Sequence, residues 1–335
     1  MSLDYCPGRY CGRLLVNTTA GVPIWGECGA CPSGFRVNME YHCSQCTGKP
    51  TLFQWLYLGF MATLPLVLHW FYLLHKHTEW KKNVAIQCGF AFIETTLAAV
   101  FTLLSFEPKG SLSLVTCSVQ QISDWYTIFF NPRIKFVETV RCSQEAVYPL
   151  YSIIFLFYLF SLALMLFLRP TLAARFLTSE ADKKKCNVAI YAALYFHPIL
   201  VVIHAICAGL IYYAYPYLTI LATMTGLAVY AVYWDMKVSR NVDFSLIFAI
   251  TMCFCLQKPK DVFGEHRVQN IFIILWHLTT LAYSIIALGN AYTTSFTYTS
   301  FAYLAFVPLP LLFLLLTEQC TDPNHITVET GGMPL

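Results

Sequence analysis

Between Phe53 and Leu316 the chain is a succession of long apolar stretches broken by short polar connections. An α-helix rises about 1.5 Å per residue, so roughly 20 mainly apolar residues cross the hydrocarbon core of a bilayer. Runs of that order fall at about Phe53–Leu74, Val84–Phe106, Val147–Leu168, Val188–Ala214, Tyr217–Trp234, Ile271–Gly289 and Ser300–Leu316. The pattern predicts an all-α polytopic membrane protein of about seven transmembrane helices. One further apolar segment, Phe244–Leu256, reaches only about 20 Å as a helix. It is expected to re-enter the membrane or lie at its interface, with an additional span as the other reading.

The polar remainder divides into four parts: an amino-terminal module over 1–52, a loop over 107–146, a second loop over 235–270 and a tail over 317–335. Composition agrees with a bilayer as solvent, since 57% of residues are hydrophobic and only 12% charged, against about 25% charged in an average soluble domain. A formal net charge of +3 leaves no nucleic-acid footprint. The first fifteen residues interrupt any apolar core with Asp4, Arg9 and Arg13, so no cleavable signal peptide is expected and the first span does the targeting.

Basic residues then set an orientation. Lys76, Lys81 and Lys82, followed by Arg169, Arg175, Lys183, Lys184 and Lys185, gather in short connections on one side. By the positive-inside rule that side is cytosolic. The amino terminus and the loop over 107–146 are then lumenal, and the loop over 235–270 and the tail cytosolic. The triplet Lys183–Lys185 before Val188 and Ile190 superficially resembles a kinase docking peptide, but its apolar half begins a span, which favours a lipid-headgroup role.

Cysteine placement supports the same side. Cys6, Cys11, Cys28, Cys31, Cys43, Cys46, Cys117 and Cys142 all fall in the segments assigned to the lumen, where disulfides persist. The two C-x-x-C pairs, Cys28/Cys31 and Cys43/Cys46, also have the form of a four-thiolate zinc site. Fifty residues bury little core, so cross-links are a ready substitute for one. Similarity of the Cys-Pro-x-Gly run to small cysteine-rich receptor modules favours Cys28 with Cys43, Cys31 with Cys46 and Cys6 with Cys11. Cys117 with Cys142 would close the loop between the second and third spans. Asn17-Thr18-Thr19 is an N-glycosylation triplet in the same module.

Inside the spans, Glu94 needs a partner or a polar cavity. The candidates are His69, His197, His204 and His277, of which His197 and His204 share one helical face. A membrane hydrolase would use such histidines with a carboxylate to hold a metal and activate water. The sequence has no H-x-x-x-H or H-E-x-x-H arrangement, which favours a hydrogen-bonded structural network, no catalytic residue, and neither cofactor nor metal.

A series of ordered blocks resembles the Jun-kinase-associated membrane protein family of the endoplasmic reticulum. They are YCG at Tyr10, GECGACPSGFR at Gly26–Arg36, WLYLGFMATLPLVLHWF at Trp55–Phe71, SDWY at Ser123, EAVYPLY at Glu145, IYAALYF at Ile190, YYAYPY at Tyr212, LAVY at Leu227 and LAFVPLPLLF at Leu304. The chain departs from that family's pattern between Asn241 and Lys260, where the short apolar segment is additional. The resemblance implies a non-enzymatic adaptor of endoplasmic-reticulum-associated degradation and the unfolded protein response. Such an adaptor brings membrane-bound ubiquitin ligases and the proteasome together and modulates Jun kinase signalling. Two other classes compete: a seven-helix receptor or transporter, and an intramembrane metal-dependent hydrolase.

Overall fold

A computed structural model of the chain describes residue 6 and residues 8–19, 21–75, 82–130, 142–235, 267–291 and 302–308. The segment Phe244–Leu256, the tail and most of the loop over 235–270 lie outside the described residues, as do Lys76 and Lys81. The chain forms two compact units, Met1–Tyr213 and Ala214–Leu335.

In the first unit the cysteine module is β-structure rather than helix. Strands β1 (Cys11–Thr19) and β2 (Val22–Ala30) form an antiparallel hairpin in the register Cys11↔Ala30 to Thr19↔Val22, with irregularities on either side of Leu15. Gly21 supplies the positive φ of +81° that a tight hairpin turn requires. Strands β3 (Phe35–Val37) and β4 (Cys43–Gln45) make a second two-stranded sheet. Two such ribbons have little core of their own. Sulfur fills that role: Cys6, Cys11 and Cys142 form a buried cluster with Cys28 and Tyr41 packed on it. A Cβ on Gly12 would stand 2.9 Å from the sulfurs of both Cys31 and Cys43, so only glycine lets the strand lie against that bond.

Four helices of this chain are long and apolar enough to cross a membrane, among the described residues. They belong to α1 (Leu52–His75), α2 (Lys82–Ser105), α3 (Ser152–Phe176) and α4 (Glu180–Asp235). Helix α1 opens with a capping box, in which Gln54 N donates to Thr51 Oγ1 and Thr51 N to Gln54 Oε1. Helix α3 opens on Glu145, whose Oε1 accepts the backbone N–H groups of Tyr151 and Ser152, both at 3.0 Å. The N–H of Gln54 in α1 and those of Tyr151 and Ser152 at the start of α3 are thus satisfied at the membrane boundary. Large apolar side chains face outward, Phe167 being 75% and Tyr195 74% exposed. Such a surface is stable in lipid and costly in water. This is a membrane protein.

Two expectations change here. The separate spans Val188–Ala214 and Tyr217–Trp234 lie on one helix, α4, which runs through Tyr215 and Pro216 without a turn. Arg169, assigned to a cytosolic connection, is inside α3 and 1% exposed, because the helix continues through Pro170 to Phe176.

In the second unit, helix α5 (Arg267–Asn290) packs against the end of α4 that belongs to that unit. Tyr215 meets Tyr283 edge-on at 6.5 Å, and the Thr223 hydroxyl donates to that of Thr280 at 3.1 Å. Of the expected seventh span only residues 302–308 are described, with a 3-10 turn at Tyr303–Phe306.

Candidate functional site

The apolar helices of the first unit enclose a polar cluster. Arg169 of α3 reaches Glu94 of α2 with two arms: Nε donates to Oε1 at 3.1 Å and Nη2 to Oε2. A third arm, Nη1, donates to Nδ1 of His69 on α1 at 3.0 Å. That bond requires a neutral His69, protonated on its other nitrogen. The His69 ring lies 5.6 Å from that of His197 on α4. His197 Nδ1 is 3.0 Å from the carbonyl of Ala193 and must be its protonated nitrogen; Nε2 then accepts the Ser161 hydroxyl at 3.2 Å. All five side chains are at most 2% exposed. One charge-balanced network therefore joins α1, α2, α3 and α4.

Of the expected partners of Glu94, His69 and His197 belong to this network. His204 does not, since its Nε2 donates instead to the carbonyl of Tyr151 at 3.0 Å. His277 lies in the second unit, buried on α5, and neither of its ring nitrogens has a hydrogen-bond partner among the described residues. Sequence reasoning missed the principal partner, Arg169. The signal was its place in an apolar run that resumes after Pro170, which reads as the end of a span when proline is taken as a stop. No group of three potential metal ligands occurs among the described residues.

At the other end of the helices, the cysteine module and the loop after α2 are one body. The eight cysteines are bonded as Cys6–Cys28, Cys11–Cys142, Cys31–Cys43 and Cys46–Cys117. None of the four is an expected pairing. Cys28–Cys43, Cys31–Cys46, Cys6–Cys11 and Cys117–Cys142 are each replaced. The reason is the β-hairpin: it carries Cys28 alongside Arg13, bringing it to Cys6, and leaves Cys11 facing the loop. Two bonds thus cross from module to loop, where the expected scheme had none. With every one of these thiols consumed, the two C-x-x-C pairs present no thiolates to zinc.

Polar contacts seal the same junction. Arg36 donates through Nη2 to Asp124 Oδ2 at 3.0 Å and to Gln120 Oε1 at 2.9 Å, and through Nη1 to the carbonyl of Ser118. Asp124 also accepts the backbone N–H groups of Gln120 and Gln121. The Tyr10 hydroxyl lies 3.0 Å from Asp124 Oδ1 and 2.9 Å from Ser123 Oγ. Burial pushes the Tyr10 phenol up from its usual value, so it stays a donor. Beyond Asp124, Trp125 wedges against Tyr57 of α1 and Tyr212 of α4. A Cβ on Gly209 would come within 2.9 Å of Trp125 and Tyr126, so α4 needs glycine where the loop rests on it.

Tyr10, Arg36 and Asp124 come from three of the sequence blocks that carried the family resemblance. The model of the JNK1/MAPK8-associated membrane protein family matches residues 6–323. The chain belongs to this family. It is 39% identical over 326 residues to the JNK1/MAPK8-associated membrane proteins of Mus musculus and of Homo sapiens, covering 97% of this chain and 96% of each relative. The Caenorhabditis elegans homolog is 28% identical over 333 residues, covering 94% of this chain and 93% of the relative. No solved structure matches. Asn17, in the glycosylation triplet, is exposed on β1 of this family member, with its Oδ1 accepting the N–H of Thr18.

Proposed function

We infer that this chain is a non-enzymatic adaptor of the endoplasmic-reticulum membrane. Its disulfide-bonded module faces the lumen. Its opposite face engages a Jun kinase and recruits ubiquitin ligases and proteasomes for degradation of misfolded proteins. Membership of a family whose relatives are named for association with JNK1/MAPK8 carries this reading. The four disulfides support the orientation, because they sit at the ends of α1, α2 and α3 opposite Arg175 and Lys183–Lys185, and disulfides persist in an oxidising compartment.

The competing classes lose support from particular contacts. A hydrolase would present Glu94 to a metal or a water, whereas its carboxylate is taken on both oxygens by Arg169. A seven-helix receptor usually ties its loop to a helix top, whereas Cys117 and Cys142 bond to the amino-terminal module.

The test joins topology to recruitment. Occupancy of Asn17, and of an acceptor triplet engineered into the tail, is read by endoglycosidase-sensitive mobility shifts. Glycan on Asn17 and none on the tail is expected. Co-purification of JNK1 and proteasome subunits is then measured with the tail and the loop over 235–270 deleted. Glycosylation of the tail, or undiminished co-purification, would refute the adaptor reading.

A further inference from the structure

The loop after α2 has a polar part and an apolar part. In the polar part Ser123 and Asp124 are buried against Tyr10 and Arg36 of the cysteine module. In the apolar part the 3-10 turn Thr127–Phe130 leaves Ile128, Phe129 and Phe130 exposed in succession, Phe129 by 74%. The turn is held in place. Thr127 is buried and its Oγ1 donates to the carbonyl of Gln144 at 2.9 Å, while Phe129 N donates to the Tyr126 carbonyl at 3.0 Å. From Ile122 to Phe130 the charged side chain is Asp124 alone, and Arg36 pairs with it. A patch of this composition offers nothing to an acidic or a basic ligand and is costly to leave in water.

Contacts with the helices give the depth at which the loop sits. Phe53, in the first turn of α1, meets Tyr212 of α4 edge-on at 5.1 Å, and Trp125 lies 4.9 Å from the same tyrosine. The hydroxyl of Tyr151, at the start of α3, donates to the carbonyl of Ala205 at 3.2 Å. The stretch Ala205–Tyr212 of α4 is therefore level with the beginnings of α1 and α3. Between Lys185 and Gly209 the helix rises about 36 Å, against roughly 30 Å of hydrocarbon, which puts Gly209 at the boundary opposite the basic residues. Gly209 N donates to Tyr126 Oη at 3.2 Å, so the loop touches α4 at that boundary. Exposed Tyr195, Ile199, Val202, Ile206, Leu210 and Tyr213 recur every three or four residues and form the lipid-facing stripe of α4. At about 100° per residue, Gly209 lies about 60° from Ile206 and about 40° from Tyr213, at the border of that stripe. The loop meets the lipid-facing surface at the level where aromatic side chains gather in membrane proteins.

We propose that Ile128, Phe129 and Phe130 enter the leaflet beside the cysteine module and anchor the loop after α2 to the bilayer, with phospholipid acyl chains as their partner. Lipid is favoured over a client polypeptide or a second copy of the chain because the patch follows directly on Tyr126, which already rests at the edge of the lipid-facing stripe. The module is bonded to this loop through Cys11–Cys142 and Cys46–Cys117, so the anchor also sets how closely the module rides on the membrane surface. This goes beyond the adaptor reading and does not depend on it.

The full chain is expressed with the photo-crosslinker p-benzoylphenylalanine in place of Phe129, irradiated in its membrane before extraction, and weighed after purification. A phospholipid adduct is expected, as from the same crosslinker in place of Ile206, which serves as the lipid-facing reference. Separately, Phe129→Trp is reconstituted in nanodiscs of phosphatidylcholine brominated either near the headgroup end or near the methyl end of the acyl chain. The emission that Phe129→Trp adds to that of wild type should be quenched by both lipids, and more strongly by bromine near the headgroup end. Adding Ile128→Asp and Phe130→Asp should abolish that quenching, because carboxylates hold the turn in water. A Cys11–Cys142 bond that still forms in this variant shows that the loop remains folded. If the variant does not accumulate, the crosslink and the Phe129→Trp emission decide. A crosslink from position 129 to another polypeptide or to a second copy of the chain would overturn the proposal, as would no lipid adduct there while position 206 gives one. So would added emission that neither lipid quenches, or quenching unchanged in the folded aspartate variant.

Discussion

Arg169 on α3 holds Glu94 on α2 through two of its nitrogens while its third reaches His69 on α1. One guanidinium therefore fixes the relative positions of three helices, and the His69–His197 contact extends the tie to α4. A planar fork with fixed donor geometry can do this; an ammonium cannot. Apolar faces alone specify helix packing weakly in lipid, where the surroundings are as apolar as the side chains. The network selects one arrangement.

Removing one partner of this pair leaves the other charged and buried. Glu94→Ala or Arg169→Ala is expected to destabilise the folded protein by about 3–5 kcal/mol, whereas the double replacement Glu94→Met with Arg169→Met should recover most of that loss. Arg169→Lys should fall between, since it keeps charge but not the bidentate contact. Thermal unfolding in detergent, followed by thiol labelling of buried Cys88 and Cys186, measures each variant. A double variant no more stable than the singles would show that the cluster does more than balance charge.

Mapping of disulfide-linked peptides without reduction should recover Cys6–Cys28, Cys11–Cys142, Cys31–Cys43 and Cys46–Cys117. The bonds differ in what they close. Cys11–Cys142 spans 131 residues of sequence and Cys31–Cys43 only 12. In the chain-entropy model the first is worth up to about 5 kcal/mol and the second about 3 kcal/mol. Cys142→Ser should therefore lower the unfolding midpoint more than Cys43→Ser. It should also free the loop after α2 for proteolysis near Ser118–Asp124, which Cys43→Ser should not.

The apolar runs were legible because crossing a bilayer demands length and little else; α1 and α2 coincide with two of them to within two residues, while α3 starts five residues after Val147 and runs eight past Leu168. The eight cysteines were legible as a set. Their pairing was not, because it depends on which strand faces which, and no short-range rule yields the Cys11↔Ala30 register. Arg169 was misplaced for a different reason. Hydropathy treats an arginine as the end of a span, yet a bidentate carboxylate on the preceding helix makes it an interior residue. Tyr10, Arg36 and Asp124 looked like unrelated members of separate blocks until the loop folded onto the module.

Glu145 titrates against the fold. Burial raises its carboxyl above the ordinary range, only partly offset by the Ser152 and Tyr151 N–H groups that cap α3. A native pKa above the unfolded value means that the folded state binds the proton more tightly. The stability Glu145 contributes is thus complete below the unfolded value of about 4.3 and is lost as pH rises through the native one. Glu145→Gln keeps the accepting oxygen without the charge. It should be more stable than wild type near neutral pH, with the difference shrinking to nothing as pH falls toward 4.3. Unfolding midpoints at a series of pH values test this, and a constant difference across the series would assign the effect to something other than titration.

The Arg36–Asp124 pair should control whether module and loop move as one. Asp124 has a fully buried side chain and takes bonds from Arg36, Gln120, Gln121 and Tyr10, so no single replacement supplies them all. Asp124→Asn keeps an oxygen but points an amide at the guanidinium and should cost about 2–3 kcal/mol locally. Arg36→Ala leaves the carboxylate with its backbone N–H partners and should cost less. Hydrogen exchange separates local from global loosening: in Asp124→Asn the amides of Gln120–Trp125 should exchange faster while those of α1 do not change. Tyr10→Phe should give a smaller effect of the same kind, because it removes one bond and leaves the ion pair in place. Acceleration spread evenly over α1 and the loop would mean instead that the loop is held by Trp125 between Tyr57 and Tyr212, and that the ion pair only follows.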